Sequence, residues 1–457
     1  MAPSLARFIF LAGILGLCIL DRQRNFRSSW ALWLPTAWLL ISGSRHVSEW
    51  LGVSPEQSAQ VYLDGSPLDA AIYAILLAAA IIVLLRRKTE VAALLRNNWP
   101  IVLFVLFCAI SCVWSDFPFV TFKRWIKALG DYAMILVILT DLDCLGALKQ
   151  VLSRVSFAVI PLSILLIKYY PSLGRAYALH WTGTQFFVGV CDTKNMLGMV
   201  CLVFGLGALW RIIEVRQVSR RDKQKTLVIH GTIFGMAIWL LELSDSKTSL
   251  SCFLLCGSLI VCHRFLRITR KRAVLHLLVV SIALMSFSVL FLGVDSAALK
   301  EMGRNPTLTG RTEMWADILS THTNPIIGTA FESFWLGPRL DYLWTFPLVN
   351  GITEAHNGYL EMYLNLGWAG EALLAILLWT GYRNILQLLD RDPEAGRLRL
   401  ALFVVAIVYN FTEAGFRSTD LIWIGFVLAI AVPPSRIGPA ATERRPLRNS
   451  NHQRELA

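Results

Sequence analysis

Charge is what this sequence has least of. Only 16% of its 457 residues are Asp, Glu, Lys or Arg, against about 25% in an ordinary soluble domain. With 55% hydrophobic residues, that shortage excludes both a soluble globular chain and a mostly disordered one. The nucleotide and hydrolase signatures are missing as well: there is no P-loop, no G-x-S-x-G and no H-E-x-x-H. The long polar stretch before His356 has no cysteine, so no disulfide staples it. The nine cysteines lie mostly in apolar runs. Cys108/Cys112 and Cys252/Cys256 sit at helix spacing without a histidine at ligand distance, which reads as small residues at helix contacts rather than a metal site. No half-sequence repeat is visible, which counts against a transporter or flippase. The first apolar run, Phe8–Leu20 after Arg7, is followed by Asp21-Arg22 and not by a small-residue cleavage site. It therefore reads as an uncleaved span.

What is present is a succession of apolar runs. They fall near 5–20, 30–42, 68–85, 99–114, 125–140, 151–167, 196–213, 226–243, 248–262, 274–293, 357–379, 398–411 and 419–432. These runs are continuous rather than alternating, so helices and not a barrel are expected to span the bilayer. The expected fold is all-α, a polytopic membrane helical bundle of about 12–13 spans. The net charge of +12 reads as topology and not as nucleic-acid binding, because the basic residues fall in short loops between runs. Basic loops at Arg86-Arg87-Lys88, Arg216 to Lys225, Arg264 to Arg272 and Arg383 to Arg399 alternate with loops of the other side. The first set is assigned to the cytoplasm. The expected organisation is a first bundle part, 1–293, one large outer loop with short helices, 294–355, the last spans, 356–432, and a basic cytoplasmic tail, 433–457, read as disordered. Loop 21–29, with three arginines, prefers the inside and puts the N-terminus outside.

The outer side should be poor in lysine and arginine, yet five outer segments keep one near the membrane boundary. They carry Lys123, Arg124 and Lys127, then Lys194, Lys247, Arg311 and Arg417. Converging cations of this kind would bind a diphosphate, whereas snorkelling or structural ion pairs would explain them singly. Asn357, Glu361 and Asn365 are spaced along one helix face, and so are Asn410, Glu413 and Arg417. Polar stripes at membrane depth face a bundle interior or a wet cavity. Glu413 reads as a carboxylate that positions a guanidinium. His356 opens a helix and is the candidate general base; His322 and His180 compete with it. The D-x-D pairs Asp141/Asp143 and Asp390/Asp392 fall in inner loops with no nucleotide-sugar domain around them. Trp335, Tyr342, Trp344 and Phe346 could stack on sugar rings or anchor the loop at the membrane surface.

The blocks GRTEMW, NPIIGTAFESFW and EAHNGYLEMYLNLG, with WSDFPFVTFKRW, the DTKNMLG block and SDSKTSL, resemble the O-antigen ligase and exopolysaccharide polymerase family of bacterial inner membranes. They run from about Trp114 to Arg417. The resemblance implies a C-type glycosyltransferase with one large periplasmic loop. Its reaction moves a glycan from an undecaprenyl diphosphate carrier to an acceptor hydroxyl, without cofactor, metal or nucleotide. It implies that Arg311 is the essential loop arginine, His356 the essential histidine, and Arg124 the arginine of the FKRW block. Where the family often has His-Lys-Asn this chain has Thr193-Lys194-Asn195, so no histidine role is carried there.

Together these readings give His356 and Arg311 as catalytic. Arg124, Lys194, Lys247 and Arg417 hold the diphosphate, and Glu413, Asn357 and Glu361 support them. The short helix suggested at Arg311–Leu319 would act as a lid. Expected partners are the lipid-linked oligosaccharide, an acceptor glycan, membrane lipids and other polysaccharide assembly and export proteins, with no nucleic acid. Polymerisation of repeat units is favoured by WSDFPFVTFKRW and SDSKTSL. Ligation to lipid A core is the alternative, and a polysaccharide transporter or flippase or a structural subunit of an export complex are the remaining readings.

Overall fold

A computed structural model describes residues 3–21, 29–53, 63–177, 185–215, 220–266, 268, 271–291 and 311–433. The chain opens with α1 (Pro3–Leu20), α2 (Trp33–Ser42), α3 (Val47–Trp50), α4 (Pro67–Arg86), α5 (Lys88–Asn97) and α6 (Trp99–Ile110). Then come α7 (Pro118–Leu139), α8 (Cys144–Tyr169), α9 (Pro171–Gly174) and a small hairpin, β1 (Arg175–Tyr177) with β2 (Gln185–Phe187). The second half holds α10 (Lys194–Ile213), α11 (Arg220–Leu243), α12 (Lys247–Phe265), α13 (Arg272–Phe291), α14 (Arg311–Leu319) and α15 (Gly337–Leu343). It closes with α16 (Gly358–Arg391), α17 (Pro393–Tyr409) and α18 (Leu421–Ile430). The protein is an all-α, multi-pass membrane bundle.

Among the described residues each of the thirteen apolar runs holds a helix. Among the described residues seven helices are long and apolar enough to cross a membrane, or eight if the pair Lys88–Asn97 and Trp99–Trp114, bent by 89°, is one span. The expected 12–13 exceeds this for a physical reason. Trp30–Ser42, Arg272–Met285 and Leu421–Ile430 are apolar but short, while α7 and α17 carry charge. Both α17 and α18 are buried along nearly their whole length, so neighbouring helices rather than lipid surround them and hydropathy need not be high.

Local chemistry sets the helix starts. Ser66, Asp143, Thr193, Asn357, Asp392 and Asp420 each accept a backbone N–H of the first turn. Pro67, Pro118 and Pro393 occupy first-turn positions that need no N–H. The D-x-D residues are spent in this way or in ion pairs. Asp143 and Asp392 are caps, Asp141 binds Ser29 and Arg87, and Asp390 pairs with Arg272.

Contacts divide the loops between two ends. At one end Arg87–Asp141, Arg211–Asp21, Arg397–Glu214 and Lys149–Glu394 lie together with the chain around Val432. The other end holds residues 43–50, 190–195, 244–248, 311–358 and 410–420. The basic loops thus share one end, as charge alternation predicts. Asp21 lies at that end and Pro3, whose carbonyl accepts Tyr170 Oη, at the other.

Two expected helix faces are different in the structure. Gly367 interrupts α16 with φ 63°, and its neighbours Trp368 and Ala369 donate instead to the carbonyls of Pro325 and Ile326. A side chain at Gly367 would stand 2.4 Å from the Ile326 carbonyl, so only glycine fits. The part after the break, 368–391, is long enough alone to cross the roughly 30 Å hydrocarbon core. Asn357, Glu361 and Asn365 therefore precede the span rather than line it. The second face, Asn410, Glu413 and Arg417, is not helical: α17 ends at Tyr409, and 410–420 is a series of turns.

The described part of the large loop, 311–355, has its own small core. Met314, Ile318, Phe334, Trp335, Leu340 and Leu343 pack with Leu364 of α16. Trp335 is buried and donates to Glu361, while Trp344 and Phe346 pack against this core. Three of the four loop aromatics are thus loop core, which leaves Tyr342 exposed. Residues 292–310, which include the start of the loop expected from 294, and the tail from 434 lie outside the described residues.

Candidate functional site

Glu413 is the meeting point of the outer-end residues. Its Oε1 accepts from Arg311 Nη2 at 3.2 Å, and its Oε2 lies 3.2 Å from His356 Nδ1 and accepts from Asn195 Nδ2 at 3.2 Å. Arg311 also donates to the carbonyl of Thr412. His356 Nδ1 has a second carboxylate, Glu354 Oε1, at 3.0 Å. Arg417 continues the chain, 3.4 Å from Glu354 and 4.0 Å from Glu332, and Arg124 donates to the backbone carbonyl of Glu332. One connected network therefore holds Arg311, His356, Arg417 and Arg124, from four separate chain segments.

Lys194 and Lys247 enter by a side branch. Both pair with Asp245, at 3.6 and 2.7 Å. The neighbouring residues tie this branch to the hub: Asn195 reaches Glu413, and the Thr248 and Thr412 hydroxyls are 2.8 Å apart. The N-termini of α10 and α12 thus face the same region as the cations, and both add partial positive charge.

Asn357 and Glu361 support the site from behind. Asn357 caps α16 and donates to Phe411 O. Glu361 takes Trp335 Nε1 and the backbone N–H of Ala355, the residue before His356. Gly358 donates to Asn410 O, and a side chain there would stand 1.8 Å from Asn410 Oδ1. This close seating fixes the start of α16, and with it His356. His322 makes none of these contacts, and His180 lies outside the described residues.

Backbone strain gathers here too. Among the described residues the non-glycine positions with positive φ are Asp245, Ala330, Glu332, His356 and Thr419. Asp245, Glu332 and His356 are members of the network, and Thr419 and Ala330 flank its loops. Such conformations cost about 1–3 kcal/mol each and collect where function over-determines the backbone.

The electrostatics change one expectation. Burial disfavours charge on His356, but hydrogen bonds to Glu354 and Glu413 and their charges outweigh it and push its pKa up to about 9. At neutral pH the free imidazole is thus an imidazolium, not the neutral base read from the sequence. Burial likewise opposes charge on Glu354, yet His356, Arg417 and Arg311 hold it below the usual carboxylate range. Asp245 is held low, chiefly by its hydrogen bond to Lys247. Among the described residues Glu354, His356 and Glu413 are the group with metal-ligand spacing. Two guanidiniums already sit on those carboxylates, and their charge opposes a divalent cation there.

Residues 232–375 match the family model described as O-antigen ligase. The exopolysaccharide production protein ExoQ of Rhizobium meliloti (strain 1021) is 25% identical over 309 residues, 65% of this chain and 67% of that protein. These similarities bear out the resemblance read from the blocks. The domain match contains Arg311, His356, Glu354, Glu332, Asp245 and Lys247; the hub Glu413 and Arg417, Arg124 and Lys194 lie outside it.

Sequence reasoning gave no role to Asp245, Glu332, Glu354 or Asn195. Glu354, two residues before His356, and Asp245, two before Lys247, could have been found as near carboxylates. Glu332 gives no such signal, since its link to Arg124 spans 208 residues.

Proposed function

We propose that this protein is a glycosyltransferase that polymerises undecaprenyl-diphosphate-linked repeat units into exopolysaccharide at the periplasmic face of the bacterial inner membrane. The observation that carries this reading is the Glu413 hub, which joins the Arg311 guanidinium to His356 at one end of a membrane bundle. The basic loops at the opposite end favour a cytoplasmic position for that end. The similarity to an exopolysaccharide production protein favours polymerisation. The description of the matched family favours the alternative, ligation of the glycan to lipid A core.

In this reading the donor diphosphate displaces carboxylates from Arg311 and Arg417 and takes both guanidiniums, with Arg124, Lys194 and Lys247 around it. The acceptor hydroxyl oxygen attacks the anomeric carbon, and the bond from that carbon to the diphosphate oxygen breaks. The electron pair leaves on the diphosphate, where fixed cations stabilise it. One direct displacement inverts the anomeric centre. The hydroxyl proton goes to His356 Nε2, while Glu354 and Glu413 hold Nδ1–H and fix the ring. His356 is the base only in its deprotonated fraction, so kcat/KM rises with pH towards about 9.

A second reading has its own support in the raised pKa: His356 as an imidazolium donor to the diphosphate. It predicts the opposite limb, with activity falling above about 9. Purified protein with lipid-linked repeat units, assayed for glycosidic bonds across pH 6 to 10, separates the two. Failure to form any bond without an ion gradient overturns the enzyme reading. A deletion strain decides the product: loss of secreted polymer supports polymerisation, and loss of capped lipopolysaccharide supports ligation.

A further inference from the structure

Two residues before Lys194 the character of the surface changes. Asp192 Oδ1 lies 3.2 Å from Arg45 Nε and shares a hydrogen bond with the side chain of Glu49. Arg45 is fixed twice more: Nη2 donates to Leu173 O at 2.6 Å, and its backbone N–H donates to Val190 O. Its guanidinium lies over the ring of Trp50, 5.3 Å from the centroid. Trp50 is 36% exposed, and the Asp192 side chain 40%. Arg45 Nη1 and the neighbouring His46 Nδ1 are left without hydrogen-bond partners among the described residues. Burial and the bond to Asp192 push Glu49 up to about 8, so this carboxyl carries a proton that it can donate.

The chemistry is unlike that of the Glu413 network. With Glu49 protonated, the Arg45 guanidinium is balanced by the Asp192 carboxylate, so the cluster has no net positive charge with which to hold a diphosphate. The cluster suits a ligand whose groups both give and accept hydrogen bonds without net charge. A partly exposed indole adds a flat apolar face. Sugar rings present that combination: hydroxyls at their edges and aliphatic C–H faces. The peptide Asp192-Thr193-Lys194 joins this cluster directly to a residue that the glycosyl-transfer reading gives to the diphosphate.

We propose that Arg45, Glu49, Trp50 and Asp192 form a carbohydrate subsite that takes one pyranose ring of the glycan beside the diphosphate position at Lys194. The subsite rests on the glycosyl-transfer reading above. The ring belongs either to the acceptor or to the sugar carried on the diphosphate, and the arms of the test distinguish them.

The experiment uses full-length protein in detergent with two probes: the oligosaccharide repeat released by hydrolysis from the host's own secreted polymer, and a polyprenyl diphosphate without sugar. Trp50→Ala and Asp192→Asn are expected to weaken oligosaccharide binding about tenfold and to leave polyprenyl diphosphate binding unchanged. In turnover, a raised KM for soluble acceptor alone marks an acceptor ring; a raised KM for lipid-linked donor alone marks a donor ring. No measurable oligosaccharide binding by wild type, unchanged binding in the variants, or equal loss of both probes in a well-folded variant overturns the subsite. If Trp50→Ala does not fold, Glu49→Gln, nearly isosteric, carries the same test. Wild type that forms no glycosidic bond sinks the parent reading. Wild type that forms it, with variants indistinguishable from it, sinks the subsite alone.

Discussion

Replacing Glu413 by Gln is the sharpest probe of the site. The substitution keeps the shape of the side chain and removes its charge. Glu413 gives His356 one of two carboxylate contacts, the other coming from Glu354. A hydrogen bond to a charged group is worth about 1.5–3 kcal/mol and a neutral one about 1. The loss is therefore about 0.5–2 kcal/mol, on the order of one pKa unit at 1.36 kcal/mol per unit. The His356 value should fall from about 9 to about 8. The kcat/KM profile, which reports the free enzyme, should move its limb down by the same amount. The ring resonances of His356, identified by their absence in His356→Gln, titrate without turnover and give a second measure. A limb and a titration that both stay at the wild-type position would refute the hub.

Three other outcomes follow from the same geometry. Arg311→Ala leaves Glu413 without its guanidinium and should lower product formation by about 100-fold or more; Arg311→Lys should recover only a minor part, because an ammonium cannot bridge Thr412 O and Glu413 in the same fork, as a membrane-fraction turnover assay would show. The pKa of His356 is raised on folding from 6.5 to about 9, so its stabilisation, about 3 kcal/mol at 1.36 kcal/mol per unit, is complete below about 6.5 and lost as pH rises through about 9; the Tm of wild type should fall between pH 7 and 10 by more than that of His356→Gln. Gly358→Ala drives a methyl group to 1.8 Å from Asn410 Oδ1 and should cost about 1–3 kcal/mol, with part of the lost Tm returned by adding Asn410→Ala.

The bundle was legible because lipid imposes a length and a composition on each span. Among the described residues each of the thirteen apolar runs holds a helix, and charge alternation agrees with how the described loops divide between two ends. The break at Gly367 was not legible. It depends on a left-handed φ and on the Ile326 carbonyl packed against it, neither of which hydropathy reads. The same holds for the turns after Tyr409, where spacing alone made Asn410, Glu413 and Arg417 look like one helix face. Glu413 still lies beside a guanidinium after this change of backbone, because that contact needs no helix face. The charge state of His356 was only half legible: Glu354 stands two residues before it, but Glu413 comes from 57 residues away.

The order in which the chain supplies its groups has a consequence for biogenesis. Arg311 and His356 leave the ribosome before Glu413, by 102 and 57 residues. Until α17 has inserted and the turns at 410–420 have closed, Arg311 lacks its carboxylate and the α16 start lacks its seat on Asn410. A nascent or C-terminally truncated chain thus has no assembled centre, however complete its earlier spans are. The segment that follows α17 acts as a completion check, since the Glu413 network closes only when that late stretch of chain is in place.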